Sequence, residues 1–207
     1  MRRSALASLI EVPDEALLRA EIEAVRRRVG QRAVVRITLT GDGRRVLWAT
    51  PPELDRLHAP VRCITGPHRD SAFVEGFVKH RSRMGWVVAI RRAGVDEMLL
   101  VDEEGRFTEG TSCAVLAVCG GVIHTAPWDG RILESTTLRR LLRLCDALKI
   151  EVVRRGARPD APLDALYIAS TTRGPAPVVE LDGRPLPGWD PVGRRLADAD
   201  DATEDGP

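Results

Sequence analysis

Apolar residues in the first 65 positions follow a helical period and then a strand period. Behind Asp14, which can cap the amino end of a helix, apolar residues recur at helical spacing as far as Gly30, namely Leu18, Ile22, Val25 and Val29. Residues 33–39 and 45–49 are rich in β-forming residues, and the sequence TGDG at 40–43 predicts a hairpin between them. Prolines then interrupt any regular pattern, so we predict a boundary between two structural units near residue 65.

The second part of the chain has the pattern of a buried sheet with helices beside it. Short apolar runs predict strands at 98–101, 114–118, 122–124, 166–169 and 178–181. One helix is predicted behind Ser82. Another is predicted behind Ser135, with an apolar stripe formed by Leu138, Leu141, Leu142, Cys145 and Leu148.

The end of the chain has a different composition, because the residues from Ala197 on are small and acidic. Such a segment has too little apolar surface to pack, which predicts a disordered tail. The predicted organisation is therefore a mixed α/β (α+β) fold with units at 1–65 and 66–196 and a tail at 197–207.

Composition and charge exclude several classes of protein. With 43% apolar and 29% charged residues, the chain has the make-up of a globular protein rather than a disordered one. The net charge of +1, with both signs interspersed, gives no electrostatic reason to expect nucleic acid or an anionic membrane as partner. No stretch resembles a membrane span or signal peptide, so we expect a cytoplasmic protein. The cysteines and histidines fit no metal-ligand spacing, so we expect reduced structural thiols and no metal.

Lysine is scarce in this chain, since Lys79 and Lys149 stand against 29 arginines. Arginine stays protonated in proteins, whereas a lysine amine can lose its proton when buried and attack a carbonyl carbon to form a Schiff base. A composition bias that left two lysines by chance explains the count equally well. Each lysine is therefore a candidate for chemistry that arginine cannot perform. The neighbouring sequence has to distinguish a functional lysine from one left by chance.

Two clusters of hydroxyl residues could bind a phosphate group. Residues 135–137 (STT) open a predicted helix, where free backbone amides and the positive end of the helix dipole favour an anion. Residues 170–172 (STT) directly follow a predicted buried strand, a common place for functional loops. A helix cap and an ordinary turn are the alternative interpretations of these clusters.

Several motifs occur together in an order that is similar to one known family. Residues 79–83 (KHRSR), 94–102 (GVDEMLLVD) and 105–110 (GRFTEG) resemble its K-x-x-N/S-x, G-x-D-E-x-L-L-x-D and G-x-x-x-E-G segments. Further on, 132–137 (ILESTT) and 167–178 (YIASTTRGPAPV) are similar to its I-L-x-G-I/T-T-R and F-x-T-S-S/T-x-R-G-x-x-P-V segments. The chain thus resembles the fold-type IV, or class IV, pyridoxal phosphate-dependent aminotransferase family over about 120 residues.

The resemblance implies a fold, a cofactor and a role for particular residues. The expected fold is a two-domain one, with a shortened amino-terminal small domain and a large domain built on a barrel-like sheet, assembled as a homodimer. Pyridoxal 5'-phosphate would form a Schiff base with Lys79, which would then move the substrate's Cα proton. Glu109 would pair with the ring nitrogen, and the phosphate would be held by Thr136, Thr137, Ser170 and Thr171. Lys149 would be a cation at the end of a helix.

The chain also departs from the family pattern. Residues 2–5 (RRSA) resemble the end of H-L-x-R-L-x-x-S-A, so the phosphate-binding arginine of that motif would lie upstream of Met1 and the first half of the small domain is expected to be missing. Ala114 stands where the family has asparagine, and Arg83 stands where a tyrosine is frequent. Arg83 and Arg36 are candidates for binding a substrate carboxylate, although a solvated surface residue is the better interpretation of Arg36.

Three functions follow from this comparison of motifs. The first is a transaminase for branched-chain or D-amino acids. The second is a 4-amino-4-deoxychorismate lyase, which we favour slightly because 109–114 lacks the E-G-x-G-E-N sequence of branched-chain enzymes and Arg83 is closer to some lyases. The third is a non-catalytic homologue that has lost the cofactor. The first two begin with loss of the same Cα proton, so Lys79 and Glu109 cannot distinguish them.

Overall fold

The computed structural model describes residues 1–30, 32–68 and 74–204. The amino-terminal part contains two helices and a hairpin: α1 (Arg2–Ala7), α2 (Glu15–Val29), β1 (Val34–Leu39) and β2 (Arg45–Thr50). As the sequence predicts, the Asp14 carboxylate caps α2 by accepting the Leu17 N–H, and β1 pairs antiparallel with β2. Helix α2 packs on this hairpin, where Arg45 of β2 forms an ion pair with Glu21 at 2.7 Å.

The rest of the described chain forms one large sheet with three helices. Its elements are β3 (Val61–Pro67), α3 (Met84–Ala93), β4 (Glu97–Val101), β5 (Phe107–Gly110), β6 (Ala114–Cys119), β7 (Val122–His124), α4 (Thr136–Ala147), β8 (Val152–Val153), β9 (Ala165–Ser170), β10 (Gly174–Leu181), β11 (Arg184–Pro185) and α5 (Pro191–Glu204). The strand order is β11-β10-β3-β4-β5-β6-β7-β8, and β9 pairs with both β10 and β6. That pairing closes a ring of six strands, which confirms the predicted barrel-like sheet.

Strand β6 is apolar on both faces because each face meets a different part of the core. In β6, Val115 and Ala117 belong to a cluster with Leu99, Phe107 and Val178 from other strands of the ring. The alternate residues of β6 belong to a second cluster, which also contains helix residues; its members include Ala114, Leu116, Val118, Leu138, Leu141, Cys145 and Leu196. A strand buried on both faces has a continuous run of apolar residues in its sequence. Each large apolar side chain buried in this way stabilises the folded state by about 1.5–3 kcal/mol.

Helices α3 and α4 differ in how they begin and how far they are buried. Helix α4 starts as predicted, because the Ser135 hydroxyl accepts the Leu138 N–H at 3.2 Å and the predicted apolar stripe packs on the sheet. Helix α3 starts at Met84, with Arg83 as its amino-terminal cap residue and no side-chain cap, so the predicted cap Ser82 lies outside it. All of α3 is described and none of its residues is buried.

Two predicted limits are corrected by the structure. The predicted boundary at residue 65 falls inside β3, whose seven residues pair with β4 and β10 as part of the large sheet. The predicted disordered tail is wrong for residues 197–204, which continue α5, whereas 205–207 lie outside the described residues. Leu196, Ala197 and Asp200 of α5 are buried, and Asp200 pairs with Arg140 at 2.8 Å. Asp200 is thus paired with a specific partner, which composition does not reveal.

His58 connects the segment before β3 to β10 and α5. Its backbone N–H donates to the Arg173 carbonyl at 2.9 Å, while Nδ1 lies 2.7 Å from the Pro175 carbonyl and Nε2 lies 2.8 Å from an Asp201 carboxylate oxygen. Both ring nitrogens face acceptors, so the arrangement requires the doubly protonated ring. Burial lowers the pKa of His58, but the hydrogen bonds to Asp201 and Pro175 outweigh it, so the net pKa is raised above its ordinary value.

We expect His58 to stabilise the fold more at low pH than at high pH. Below the ordinary histidine pKa the ring keeps both hydrogen bonds, and the contribution is lost as pH rises through the raised pKa of the folded state. Because Asp201 is half-exposed, the free energy of unfolding should fall by at most about 1 kcal/mol when this contribution is lost. The check is urea unfolding of the wild type and of His58→Asn, which suits the left-handed backbone at this position (φ 54). A stability difference that does not shrink between pH 5.5 and pH 9 would contradict this.

Among the described residues, no helix combines the length and the apolar character that crossing a membrane requires.

Candidate active site

A cavity of about 960 Å³ lies between the amino-terminal part and one end of the barrel. Its wall is formed by α1, β1, the segment around Lys79, the start of α3, the start of β4, residues 112–113 and the end of β9 with the turn after it. Five of the residues selected from the sequence line this one cavity: Arg36, Lys79, Arg83, Ser170 and Thr171. Two of the others, Glu109 and Thr137, are connected to lining residues by the interactions described below.

Lys79 follows the buried Val78, and its backbone N–H donates to the Ser4 hydroxyl oxygen at 3.1 Å. The side chain is reached by solvent through the open cavity, but the walls still remove part of its hydration. Burial lowers the pKa of Lys79, and the guanidinium groups of Arg83 and Arg36 lower it further, whereas Glu109 opposes them. A lowered pKa increases the share of neutral amine, which is the nucleophilic form.

Glu109 lies on β5, and its carboxylate accepts the Leu133 backbone N–H at 3.2 Å. Burial raises the pKa of Glu109 to about 7, against the opposing effects of the Leu133 hydrogen bond, Arg83 and Lys79. Glu109 and Lys79 therefore influence each other electrostatically and belong to one site. A carboxyl group of this kind needs a cationic partner to be fully ionised near neutral pH.

The two hydroxyl clusters meet at the amino end of α4, through residues 34 positions apart in sequence. Thr137 is buried in the first turn of α4, and its hydroxyl oxygen lies 3.5 Å from that of Thr171. Ser170 ends β9 and lines the cavity next to Thr171. Thr136 is the first residue of α4 and its side chain is exposed, so its backbone amide is the part that can face a ligand.

The cavity is rich in arginine. Arg36 is exposed on β1, with its guanidinium 5.5 Å from the centre of the Trp48 ring, and Arg83 stands at the start of α3. Three further arginines line the cavity that the sequence analysis did not select: Arg56, Arg81 and Arg173. Arg81 and Arg173 lie inside the recognised motifs, which is the signal that could have selected them. Such a wall favours ligands with carboxylate or phosphate groups.

Glu97 is a buried carboxylate in the cavity wall that the sequence analysis also missed. It accepts hydrogen bonds from the hydroxyls of Thr111 and Ser112, and from the Met98 backbone N–H at 2.9 Å. These bonds hold the turn between β5 and β6, which begins directly after Glu109 and Gly110. Glu97 thereby supports the position of Glu109. Its place in the G-V-D-E motif was visible in the sequence, but its hydrogen-bond partners were not.

The family model described as "Amino-transferase class IV" matches residues 1–181. A Methanocaldococcus jannaschii protein, provisionally assigned as a branched-chain-amino-acid aminotransferase, is 36% identical over 100 residues, covering 44% of this chain and 33% of its own. The D-alanine aminotransferase of Bacillus licheniformis is 32% identical over 98 residues, covering 46% of this chain and 34% of its own. The matches thus span about a third of these curated relatives.

One solved structure extends the similarity to nearly the whole fold. The T.th. branched-chain amino acid aminotransferase, complexed with N-(5'-phosphopyridoxyl)-L-glutamate, superposes with a TM-score of 0.79 and 25% identity. The superposition covers 96% of this chain and 74% of that one. The similarity therefore includes both the amino-terminal part and the barrel.

Proposed function

Because this chain belongs to the class IV aminotransferase family, we propose that it is a pyridoxal phosphate-dependent aminotransferase that uses the Lys79 amine. The observation that carries this proposal is the meeting of three groups from distant parts of the sequence. A lysine with a lowered pKa lines the cavity, a partly buried carboxyl interacts with it, and a pair of threonine hydroxyls lies at a helix amino end.

The residues present fit the cofactor. The hydroxyls of Thr137 and Thr171 face each other at the amino end of α4, where Ser170 and the backbone amides of Thr136 and Thr137 can add further donors to a phosphate. When bound, pyridoxal phosphate supplies an aldehyde that condenses with an amine, releasing one water, and a ring that accepts the electron pair left by a departing proton. The T.th. enzyme was solved with a phosphopyridoxyl compound, which supports the same cofactor here.

Lys79 would act first as the covalent anchor and then as the proton carrier. Its amine has a lowered pKa, which increases the share of the neutral form that can attack the aldehyde. Once an incoming amine displaces it, the same nitrogen is free to accept and return the Cα proton. Arginine could do neither, because its guanidinium stays protonated.

Glu109 would hold a proton on the nitrogen of the cofactor ring. Burial raises the pKa of its carboxyl to about 7 despite the nearby Arg83 and Lys79, and a cationic partner in direct contact would favour the ionised form. The Leu133 N–H keeps one of its oxygens oriented. A charge-assisted hydrogen bond of this kind strengthens the ring as an electron acceptor.

The arginines of the cavity wall would bind the substrate carboxylate. Arg83 and Arg36 line the cavity and lower the pKa of Lys79, so they lie within electrostatic reach of the amine. The names of the relatives support branched-chain amino acids or D-alanine as substrates. The lyase alternative keeps one feature in its favour, Arg83 in the cavity wall, and none of these relatives is a lyase. Family membership also supports a homodimer.

Substrate assays separate the candidate functions. Purified protein with pyridoxal phosphate should convert branched-chain or D-amino acids to keto acids in the presence of a keto acid acceptor, with stoichiometric amino transfer measured by mass spectrometry. If aminodeoxychorismate instead gives 4-aminobenzoate and pyruvate while no amino acid reacts, the lyase assignment replaces the transaminase. If the protein develops no visible absorbance with the cofactor, the enzyme proposal fails in favour of a non-catalytic homologue.

A further inference from the structure

The segment that carries Lys79 lies against the segment that leads into α4. One close approach is at Gly76, where a β-carbon would lie 1.8 Å from the backbone carbonyl oxygen of Arg131. A side chain cannot be accommodated there without moving the backbone, so glycine is required at this contact. Residues 74–79, the lysine segment, and residues 131–134, the pre-α4 segment, thus touch through their backbones.

Helix α1 contacts both segments. The Arg3 guanidinium lies 3.9 Å from the centre of the Phe77 ring in the lysine segment and pairs with the Glu134 carboxylate in the pre-α4 segment. The neighbouring Ser4 hydroxyl accepts the Lys79 backbone N–H at 3.1 Å. Ala5, the next residue, is buried at 3% exposure and anchors the helix in place.

We propose that Ser4 and Arg3 are positioning residues, which hold the lysine segment against the pre-α4 segment and so set the place of the Lys79 amine relative to Glu109. Glu109 is held from the same side, because its carboxylate accepts the N–H of Leu133, the residue before Glu134. This inference rests on the proposed role of Lys79 and adds to it two residues that never touch the reacting atoms.

The Ser4 and Arg3 contacts differ in the size of the effect expected when each is lost. The Ser4 bond is made to the backbone of Lys79 itself, so its loss moves the amine directly. A typical hydrogen bond of this kind corresponds to about a fivefold change in an equilibrium constant. The Arg3 guanidinium is more than half exposed. An exposed ion pair with a ring contact corresponds to about a twofold to threefold change in an equilibrium constant.

The test measures cofactor binding and amine reactivity rather than turnover. Ser4→Ala, Ser4→Thr, Arg3→Ala and Arg2→Ala are titrated with pyridoxal phosphate by visible absorbance. The cofactor-free proteins are also labelled with trinitrobenzenesulfonate across pH, and the Lys79 peptide is quantified against the Lys149 peptide by mass spectrometry. Lys149 serves as an internal reference because it lies just after α4, away from the lysine segment. Arg2→Ala is the matched control, since Arg2 is an exposed neighbour on the same helix.

Ser4→Ala should bind the cofactor about fivefold more weakly, and its Lys79 labelling profile should move to higher pH as the amine leaves the partly desolvated wall. Arg3→Ala should show a smaller loss, Ser4→Thr should restore binding, and Arg2→Ala should match the wild type. The inference is overturned if Ser4→Ala binds and labels like the wild type. It is also overturned if Ser4→Thr loses as much affinity as Ser4→Ala, with equal falls in melting temperature. A wild type without a visible band would instead refute the proposed function, while the labelling profiles would still test the positioning.

Discussion

Replacing Lys79 with alanine should abolish both the visible absorbance of added pyridoxal phosphate and any amino transfer. The covalent anchor and the proton carrier are lost together, and loss of proton transfer alone corresponds to about 10²–10⁴-fold in rate. Absorbance spectra of the purified variant and a stopped assay of keto acid formation measure the two effects. Borohydride reduction of the wild type should fix the cofactor on the peptide that contains Lys79.

The chain provides a matched control for this experiment, because Lys149 is its one other lysine. Lys149→Ala should keep both the absorbance and the activity, since this residue follows the last turn of α4. Lys79→Arg retains a positive charge at the site, yet it should be as inactive as Lys79→Ala. If the borohydride adduct appears on Lys149, or if Lys79→Arg retains the visible band, the assigned role of Lys79 is wrong.

Replacing Glu109 with glutamine should lower the rate of amino transfer by about 10²–10³-fold, while the visible band is retained. Glutamine keeps the size of the side chain and can still accept the Leu133 N–H, but it has no charge with which to keep the ring nitrogen protonated. The measurement is kcat with the best amino acid substrate, together with the dissociation constant of the cofactor.

Two comparisons make the Glu109 result specific. Glu109→Asp retains the charge on a shorter side chain, so its activity should lie between the wild type and Glu109→Gln. A cofactor analogue methylated on the ring nitrogen carries a permanent positive charge, and it should restore part of the activity of Glu109→Gln. Equal rates for wild type and Glu109→Gln would show that the carboxylate does not serve the ring nitrogen.

Local patterns were predicted well because they depend on few neighbouring residues. The hairpin β1–β2, the cap of α4 by Ser135 and the strand pattern around Gly120 and Gly121 were each visible in the sequence and are present in the structure. The start of α3 was missed because Ser82 makes no capping bond. Helix α5 was missed because acidic composition concealed its buried positions, of which Asp200 pairs with Arg140 of α4.

The site was only partly visible from the sequence. Motif order placed Lys79, Glu109 and the two hydroxyl clusters on the chain, and the structure brings Thr137 and Thr171 together. The supporting residues Ser4 and Glu97 could not be selected, because their function lies in contacts with other parts of the chain. Ser4 bonds to a residue 75 positions away, and Glu97 to hydroxyls 14 and 15 positions away.

By itself, the sequence determined helix α2, the hairpins β1–β2 and β6–β7, the start of α4, and the family to which the motifs are similar. These features follow from periodicity and from hydrogen bonds that reach only a few residues along the chain. Only the tertiary structure decided that β9 and β10 close the barrel, that α5 is folded, and that α1 contacts the lysine segment. Each of these depends on burial and pairing between distant segments, which no local pattern specifies.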